Sequence, residues 1–394
     1  MTAISEEIKT SLDTPFRAAA LDIGSNSCRI LIAEVAEPVS RKAEREAAAL
    51  ETFGNKKVEL IPIYYDLKTT RLAAGIEENG RLNSDSLERT IAALKNFRNK
   101  LQKYQVSRYR MVGTSALREV SDASRLAAVI EAETGLELKI ISGQREAELV
   151  YRGASAGFEN FSGGLVIDIG GGSTEIITKK SGSIFPVSLR MGAVRFTERY
   201  ITDPARSITE KEITSIREAT FDLLDSSSQL SALEKPASSV LPKTEKSSPK
   251  SSQPEEVSKP DEVSKSLAGS KKSYQVPEKS DTTSDKSSDS PGAVGVGGTI
   301  TTLAAVQQEM STYHPELIEG YYLSREEVET LIELFASRVL EERQAIIGLQ
   351  PARADIITAG TVILSVLLKF FQLPGIRVSE QDILYGLVRE ELKL

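Results

Sequence analysis

Two short runs of this sequence carry residue types that can do chemistry together. "DIGSNS" occupies 22–27 and "DIGGGSTE" occupies 168–175. Each follows an apolar run, and each places an aspartate at a strand end ahead of glycine and small hydroxyl residues. Glycine permits positive φ and close backbone approach, here at Gly24 and at Gly170, Gly171 and Gly172. Exposed N–H groups at such a turn, with Ser25, Asn26, Ser27, Ser173 and Thr174 beside them, can cradle phosphate oxygens. Asp22 and Asp168 are then placed to hold a hydrated Mg²⁺ near those phosphates. A third glycine-rich turn, "GVGGTITT" at 295–302, precedes an apolar helix. Gly297, Gly298 and Thr299 lie at that helix start, a second kind of anion site. One such turn is usually only a turn. Two matched turns and a third point to phosphate.

The rest of the composition narrows the chemistry. The chain has 394 residues, one cysteine (Cys28), one histidine (His314) and a net charge of −7. A disulfide within the chain is excluded, and so is a His-rich zinc site. Ser-His-Asp catalysis would rest on His314 alone, which sits between Tyr313 and Pro315 in what reads as a loop. The acidic balance argues against non-specific nucleic-acid binding. No run reaches the roughly 18 apolar residues of a membrane span, and 1–14 is polar without an apolar signal core. The expectation is a cytoplasmic protein with neither nucleic-acid nor membrane partners.

The elements that must position these turns follow from periodicity. Arg17–Asp22 and Arg29–Val35 read as strands, and Lys57–Ile63 as a third. "SDSLERTIAALKNFRNKLQKY" has helical spacing at Leu87, Ile91, Leu94, Phe97 and Leu101, with Ser84 as the expected N-cap. Tyr109–Gly113 reads as a strand running into a turn, and "ASRLAAVIEAETG" as a helix ending at Gly135. Leu136–Ser142 reads as a strand, and "GQREAELVYRGASAG" as the helix after it. "ITEKEITSIREATFDLL" is a helix capped by Thr209. "ARADIITAGTVILSVLLKFF" is a core helix, and Gln381–Leu394 a closing one. The strand–Asp-Ile-Gly–turn–strand unit occurs twice, which suggests two related halves facing one another. From Ser226 to Ser290 the composition changes to Ser, Lys, Glu, Asp and Pro without period. Such a segment cannot bury enough apolar surface to offset its ordering entropy, so 226–290 is expected to be a disordered insertion.

The three-turn pattern resembles the actin / sugar kinase / heat-shock chaperone ATPase superfamily. In detail it resembles the exopolyphosphatase / guanosine pentaphosphatase (Ppx/GppA) phosphatases, in their short two-domain form. The match is carried, in order, by "DIGSNS", "GTSALRE" at 113–119, "ISGQREAEL" at 141–149, "DIGGGSTE", "RMGAVRF" at 190–196, "GVGGTITTLAA" at 295–305 and "VSEQDILYGLV" at 378–388. The chain departs from the pattern in the insertion, in Tyr385 where many members have Arg, and in Gln144-Arg145-Glu146 where members often have Asn-Glu-Glu.

The resemblance implies an α/β fold of two ribonuclease-H-like domains facing a central cleft. Domain I would span 15–121, with 379–394 returning to it, and domain II 122–378. It implies release of terminal phosphate from inorganic polyphosphate, conversion of guanosine pentaphosphate to the tetraphosphate, or both. Glu146 then stands at the family's essential glutamate and would aim a water; otherwise it is a helix-start glutamate facing the macrodipole. Glu175 would orient water or metal. Arg118 would fork across phosphate oxygens. Glu119 is a further carboxylate, or simply a partner of Arg118. Arg190 and Arg71 would line a track for a polyanion. The competing class is a phosphate- or nucleotide-sensing module with little turnover, and a kinase of the same superfamily is a third. The expected assembly is a symmetric homodimer.

Overall fold

The structure, a computed structural model, describes residues 17–35, 60–74, 82–158, 161, 164–180, 183–230 and 292–394. Strands Arg17–Ile23 (β1), Ser27–Val35 (β2), Leu60–Thr69 (β3), Arg108–Gly113 (β4) and Leu138–Ile140 (β5) make one sheet, in the order β3-β2-β1-β4-β5. The first three form an antiparallel meander; β4 and β5 join parallel to β1. Leu165–Ile169 (β6), Thr174–Lys180 (β7), Ser183–Leu189 (β8), Ala293–Val296 (β9), Tyr322–Ser324 (β10) and Gly375–Val378 (β11) make the second, ordered β10-β11-β9-β6-β7-β8. Read from β8, the same order recurs: a meander β8-β7-β6, then β9 and β11 in parallel, with β10 added antiparallel at the edge. These are the two α/β halves that the duplicated turn implied.

Parallel neighbours require crossover helices. In the first half these are Ser84–Lys103 (α1), the short Ser115–Glu119 (α2) and Ala123–Thr134 (α3), with Gly143–Gly157 (α4) following β5. In the second half, Ala193–Tyr200 (α5) and Glu210–Asp225 (α6) precede β9, and Gly297–Gln307 (α7) and Pro315–Ile318 (α8) precede β10. Arg325–Ala336 (α9), Leu340–Gln344 (α10) and Ile357–Phe370 (α11) follow, and Ile383–Glu391 (α12) ends the fold. α1 is capped by Asn83, not Ser84: the helix starts one residue earlier than its first hydroxyl suggested, and the Asn83 side chain accepts from the Asp85 N–H at 2.8 Å. α6 carries the expected Thr209 cap, reciprocated by Glu212 in a capping box. α3 ends on Gly135 at φ 65°, a left-handed cap. β3 runs to Thr69 because it pairs with β2 along its length. The long apolar helix starts only at Ile357, after a 3₁₀ turn at Pro351–Arg353. The closing helix starts at Ile383, where the Asp382 side chain caps the Leu384 N–H. β8, β10 and α5 were not expected.

Ordered chain also continues further into the expected insertion. Ser226 is the C-cap of α6, and Leu230 is 5% exposed within the second half's core. The polar run Ser226–Gln229 hides that one apolar anchor. The remaining stretch, 231–291, joins α6 to β9, and the expectation of disorder there lies outside the described residues.

One core positions the site. α4 follows the first sheet but packs against β7 and β8 of the second; α12 follows the second sheet but packs against β1, β2 and β4 of the first. The two helices lie against each other in an apolar cluster fed by both sheets. It includes Ala20, Leu31 and Val112 from the first, Val166, Ile177 and Val296 from the second, and Ala147, Val150, Leu384 and Leu387 from the helices. Two glycines set how closely the helices approach. A Cβ on Gly153 of α4 would lie 2.1 Å from the Asp382 carbonyl oxygen, and one on Gly386 of α12 would lie 2.0 Å from that of Leu149.

Candidate active site

The duplicated turn closes in the same way twice. Gly24 N–H donates to the Ser27 carbonyl at 3.0 Å, and Gly170 N–H to that of Ser173 at 3.0 Å. Each turn is tied from behind. The carbonyls of Ser25 and Asn26 accept from Ala73, Thr70 and Arg71 after β3. Those of Gly170 and Gly171 accept from Ala193, Val194 and Arg195 at the start of α5. The turns abut: a Cβ on Gly172 would lie 2.6 Å from Ser115 Oγ and 2.7 Å from Ser25 Oγ. Gly297, at φ 84°, brings the third turn against Asp168, whose Oδ1 would lie 2.1 Å from a Cβ there.

The three turns share one cleft of about 80 Å³. Asp22, Gly24, Ser25, Asn26 and Ser27 line it from the first sheet. Asp168, Gly170, Gly171, Gly172 and Ser173 line it from the second, with Gly297, Gly298 and Thr299 at the start of α7. Glu146 and Glu175 face the same space. Asp22 Oδ1, Ser25 Oγ and Asn26 Nδ2 are buried without a hydrogen-bond partner. Unsatisfied buried polar atoms are costly, and three in one cleft describe a place shaped for a polar ligand.

Glu146 enters through α4. Ser142 caps that helix by accepting from the Arg145 N–H at 3.1 Å, which sets Glu146 in its first turn. Arg118 of α2 holds it, Nη1 to Oε2 at 2.6 Å, and also donates to the Ile141 carbonyl at 3.1 Å. Glu175 stands directly opposite Asp168 across the β6–β7 hairpin, and Ser188 donates to its Oε1 at 2.8 Å.

Three expected residues sit elsewhere. Thr174 faces away from the cleft: its hydroxyl donates to the Met191 carbonyl at 2.6 Å, because strand alternation turns it to the opposite face from Ser173. Glu119 does not pair with Arg118. It is held by Arg195 at 2.6 Å and Arg190 at 2.9 Å, on the far side of Ser115. Arg71 pairs with Asp355 at 2.7 Å.

Other residues of the cleft were missed. Thr114, Ser115, Arg353 and Ile356 line it. So does Arg29, which donates to Asp22 Oδ2 through Nη2 at 2.6 Å and reaches Asp382 through Nη1. A signal for Arg29 existed. A tight hairpin pairs Asp22 with Arg29, just as it pairs Asp168 with Glu175. The two copies of one hairpin therefore carry opposite charges at the equivalent position.

Four carboxylates in so small a space resist ionisation. Burial lifts Glu146 to about 7, against the opposing pull of Arg118. Burial lifts Asp168 to about 8, helped by the charge of Asp382. Glu175 is pushed well up by burial and by Glu146 and Asp168. Asp22 is raised by burial although Arg29 opposes it. Burial works against the charge of Arg29 itself, but Asp382 and Asp22 outweigh it.

A stability prediction follows for Glu146. Between its ordinary value of 4.5 and about 7, the folded protein holds a proton that the unfolded chain has released. The stability this group contributes is therefore full below that window and is lost as pH rises through it. Melting curves across pH should show Glu146→Gln gaining on wild type as pH rises from about 4.5 to about 7, with a constant gap above that; a constant difference throughout would show that burial does not raise this carboxyl.

The donor set fits Mg²⁺. No three metal-ligating side chains converge among the described residues, so a self-contained cage is absent there. Mg²⁺, however, keeps several waters and takes one or two carboxylates together with substrate phosphates. Asp22, with its unpartnered Oδ1, and Asp168 on the opposite wall offer that pair. No helix among the described residues is long and apolar enough to cross a membrane.

Comparison with known proteins agrees with this geometry. The family model described as the Ppx/GppA phosphatase family matches residues 54–235 and 270–393. The chain is 28% identical over 382 residues to a bifunctional 3-dehydroquinate synthase/phosphatase of Fusobacterium nucleatum, covering 95% of this chain but only 46% of that protein. It is 28% identical over 387 residues to exopolyphosphatase 2 of Mycobacterium tuberculosis, covering 94% of this chain and 97% of that one. The crystal structure of the Aquifex aeolicus Ppx/GppA family member superposes with a TM-score of 0.65 at 26% identity, over 96% of this chain and 99% of that one. An exopolyphosphatase from Cytophaga hutchinsonii shares the fold at a TM-score of 0.70 and 21% identity, over 96% and 98%.

Proposed function

The chain belongs to the Ppx/GppA phosphatase family, a family of phosphoanhydride hydrolases, and from that premise we propose that it removes the terminal phosphate of inorganic polyphosphate, of guanosine pentaphosphate, or of both. The observation that carries this reading is the convergence of the two Asp–Gly turns and Glu146 on one cleft. The terminal phosphoryl group lies between the turns. Its oxygens take backbone N–H groups and the hydroxyls of Ser25, Ser27 and Ser173, with the N-terminus of α7 facing them. Arg118 neutralises charge that develops on the equatorial oxygens. Glu146 accepts a proton from water as the water oxygen bonds to phosphorus. The bridging P–O bond breaks, and its electron pair leaves with the shortened chain. A carboxylate near 7 is matched to this work at neutral pH. Mg²⁺, held by Asp22 and Asp168, would supply charge neutralisation at the anhydride. Glu175, fixed by Ser188 at 2.8 Å, orients the water and would face the metal when one is bound.

Phosphate release measured in parallel from the two substrates with Mg²⁺ tests this. Wild-type protein that binds either ligand and releases no phosphate would make it a sensing module instead. The pairing of Arg118 with Glu146 gives a sharper expectation. Arg118 holds the carboxyl down, so Arg118→Gln should move the acidic limb of the kcat/KM profile to higher pH. It should also cost about 100-fold in kcat/KM by removing an oxyanion donor. A limb that stays in place would separate the two residues functionally.

A further inference from the structure

One arginine that the reaction does not touch is buried completely. Arg343, in α10, is 0% exposed and is the largest side chain so enclosed among the described residues. It does not line the cleft. A buried guanidinium ordinarily meets a carboxylate, because leaving water is costly for a charge. Arg343 instead donates to backbone carbonyls. Nε reaches Ala354 at 2.9 Å. Nη1 reaches Arg338 at 3.0 Å and Phe335 and Arg206 at 3.4 Å, and Nη2 reaches Pro204. Burial works against its charge, and Asp355 and Glu341 offset this only in part. The carbonyls come from the loop before α6, the end of α9 and the chain after it, and the turn ahead of α11.

We infer that Arg343 is a positioning residue: it fixes the turn at 351–356 so that the Arg353 guanidinium stands over the third phosphate turn. This rests on the hydrolase reading given above for what Arg353 meets there.

The turn is exposed at Pro351 and Ala352, and its own hydrogen bonds are local. Arg353 N–H donates to the Gln350 carbonyl at 2.8 Å, and Ile356 N–H to that of Arg353 at 3.0 Å. Ala354 is the buried point, and its carbonyl is the one Arg343 holds. Arg353 stands just before it. A Cβ on Gly298 would lie 2.0 Å from Arg353 Nη1, so the guanidinium rests on the first turn of α7. Its side chain donates to the neutral Gln350 Oε1 at 3.0 Å, which leaves its charge available to an anion. Asp355 stands just after Ala354 and pairs with Arg71 of the first half at 2.7 Å. The chain leading to the turn is tied down as well. Gly348, at φ 87°, lies so close to α7 that a Cβ there would stand 2.3 Å from the Ala305 carbonyl oxygen. α7 is thus the floor under the turn, and Arg343 sets its height above that floor.

A double-mutant cycle tests this. Arg343→Lys keeps the charge, but an ammonium with three donors cannot span five carbonyls. Titration calorimetry with a methylene-bridged polyphosphate, which cannot be hydrolysed, should show that variant binding about tenfold more weakly, the scale of one charged hydrogen bond. Its kcat on polyphosphate should stay within about threefold of wild type, since Glu146 and the Asp–Gly turns hang on other elements. In an Arg353→Gln background the same Arg343→Lys change should alter affinity by less than about twofold, because the group it positions has gone. An equal loss in both backgrounds, or full affinity in Arg343→Lys alone, would overturn the inference. Amide exchange of the wild-type protein gives a second reading that holds even if Arg343→Lys does not fold. The amides of Ala354 and Ile356 should exchange as slowly as those of α11; exchange as fast as in the exposed stretch 311–314 would also overturn it. Failure of the hydrolase reading appears differently, as wild-type protein that binds the analogue and releases no phosphate from polyphosphate.

Discussion

Glu146→Gln is expected to lower the rate of phosphate release by about 10²- to 10⁴-fold, the range typical of a lost general base. Gln keeps the shape and the hydrogen bond from Arg118 but cannot take a proton. Substrate affinity should hold or tighten, because the turns that grip phosphate are untouched and one negative charge beside a polyanion has gone. Single-turnover release and equilibrium binding, measured side by side, separate the two effects. Release within about tenfold of wild type would remove Glu146 from the chemistry.

The second large effect is on folding. Gly386→Ala is expected to cost about 1–3 kcal/mol, toward the upper end, because the new methyl meets backbone rather than a side chain that can swing away. Its Cβ would stand 2.0 Å from the Leu149 carbonyl oxygen and 2.7 Å from its carbon, so α12 must move off α4. Activity should fall as well. α4 carries Glu146, and Asp382 at the head of α12 holds Arg29. Gly292→Ala is the matched control, with only a Leu373 methyl at 4.0 Å. Equal melting temperatures for Gly386→Ala and Gly292→Ala would show that the helix contact is not tight.

Much of this site is written locally and is legible for that reason. A hairpin turn, a helix cap and a run of apolar residues at helical spacing involve neighbours in sequence. Asp22, Asp168 and the glycines of the three turns could be read that way. So could α4, whose bounds coincide with "GQREAELVYRGASAG". The unread part depends on partners far along the chain. Amphipathic spacing shows that α4 has an apolar face, but not that the face covers β7 and β8 rather than its own sheet. Glu119 stands next to Arg118 in sequence, yet Arg195 takes it from the other half of the molecule. Leu230 reads as part of a polar tail until the core that receives it is seen. Thr174 and Arg29 fall between these cases. Strand alternation and hairpin register, applied strictly, would have turned the first away from the cleft and set the second opposite Asp22.

The exchange of α4 and α12 bears on what the internal duplication means. Each half ends in a helix that roofs its twin, so a fragment stopping at Gly157 would own a helix with no seat and a sheet with no roof. The repeat is one of pattern and not of independence. The halves share one strand order, yet neither is a severable piece.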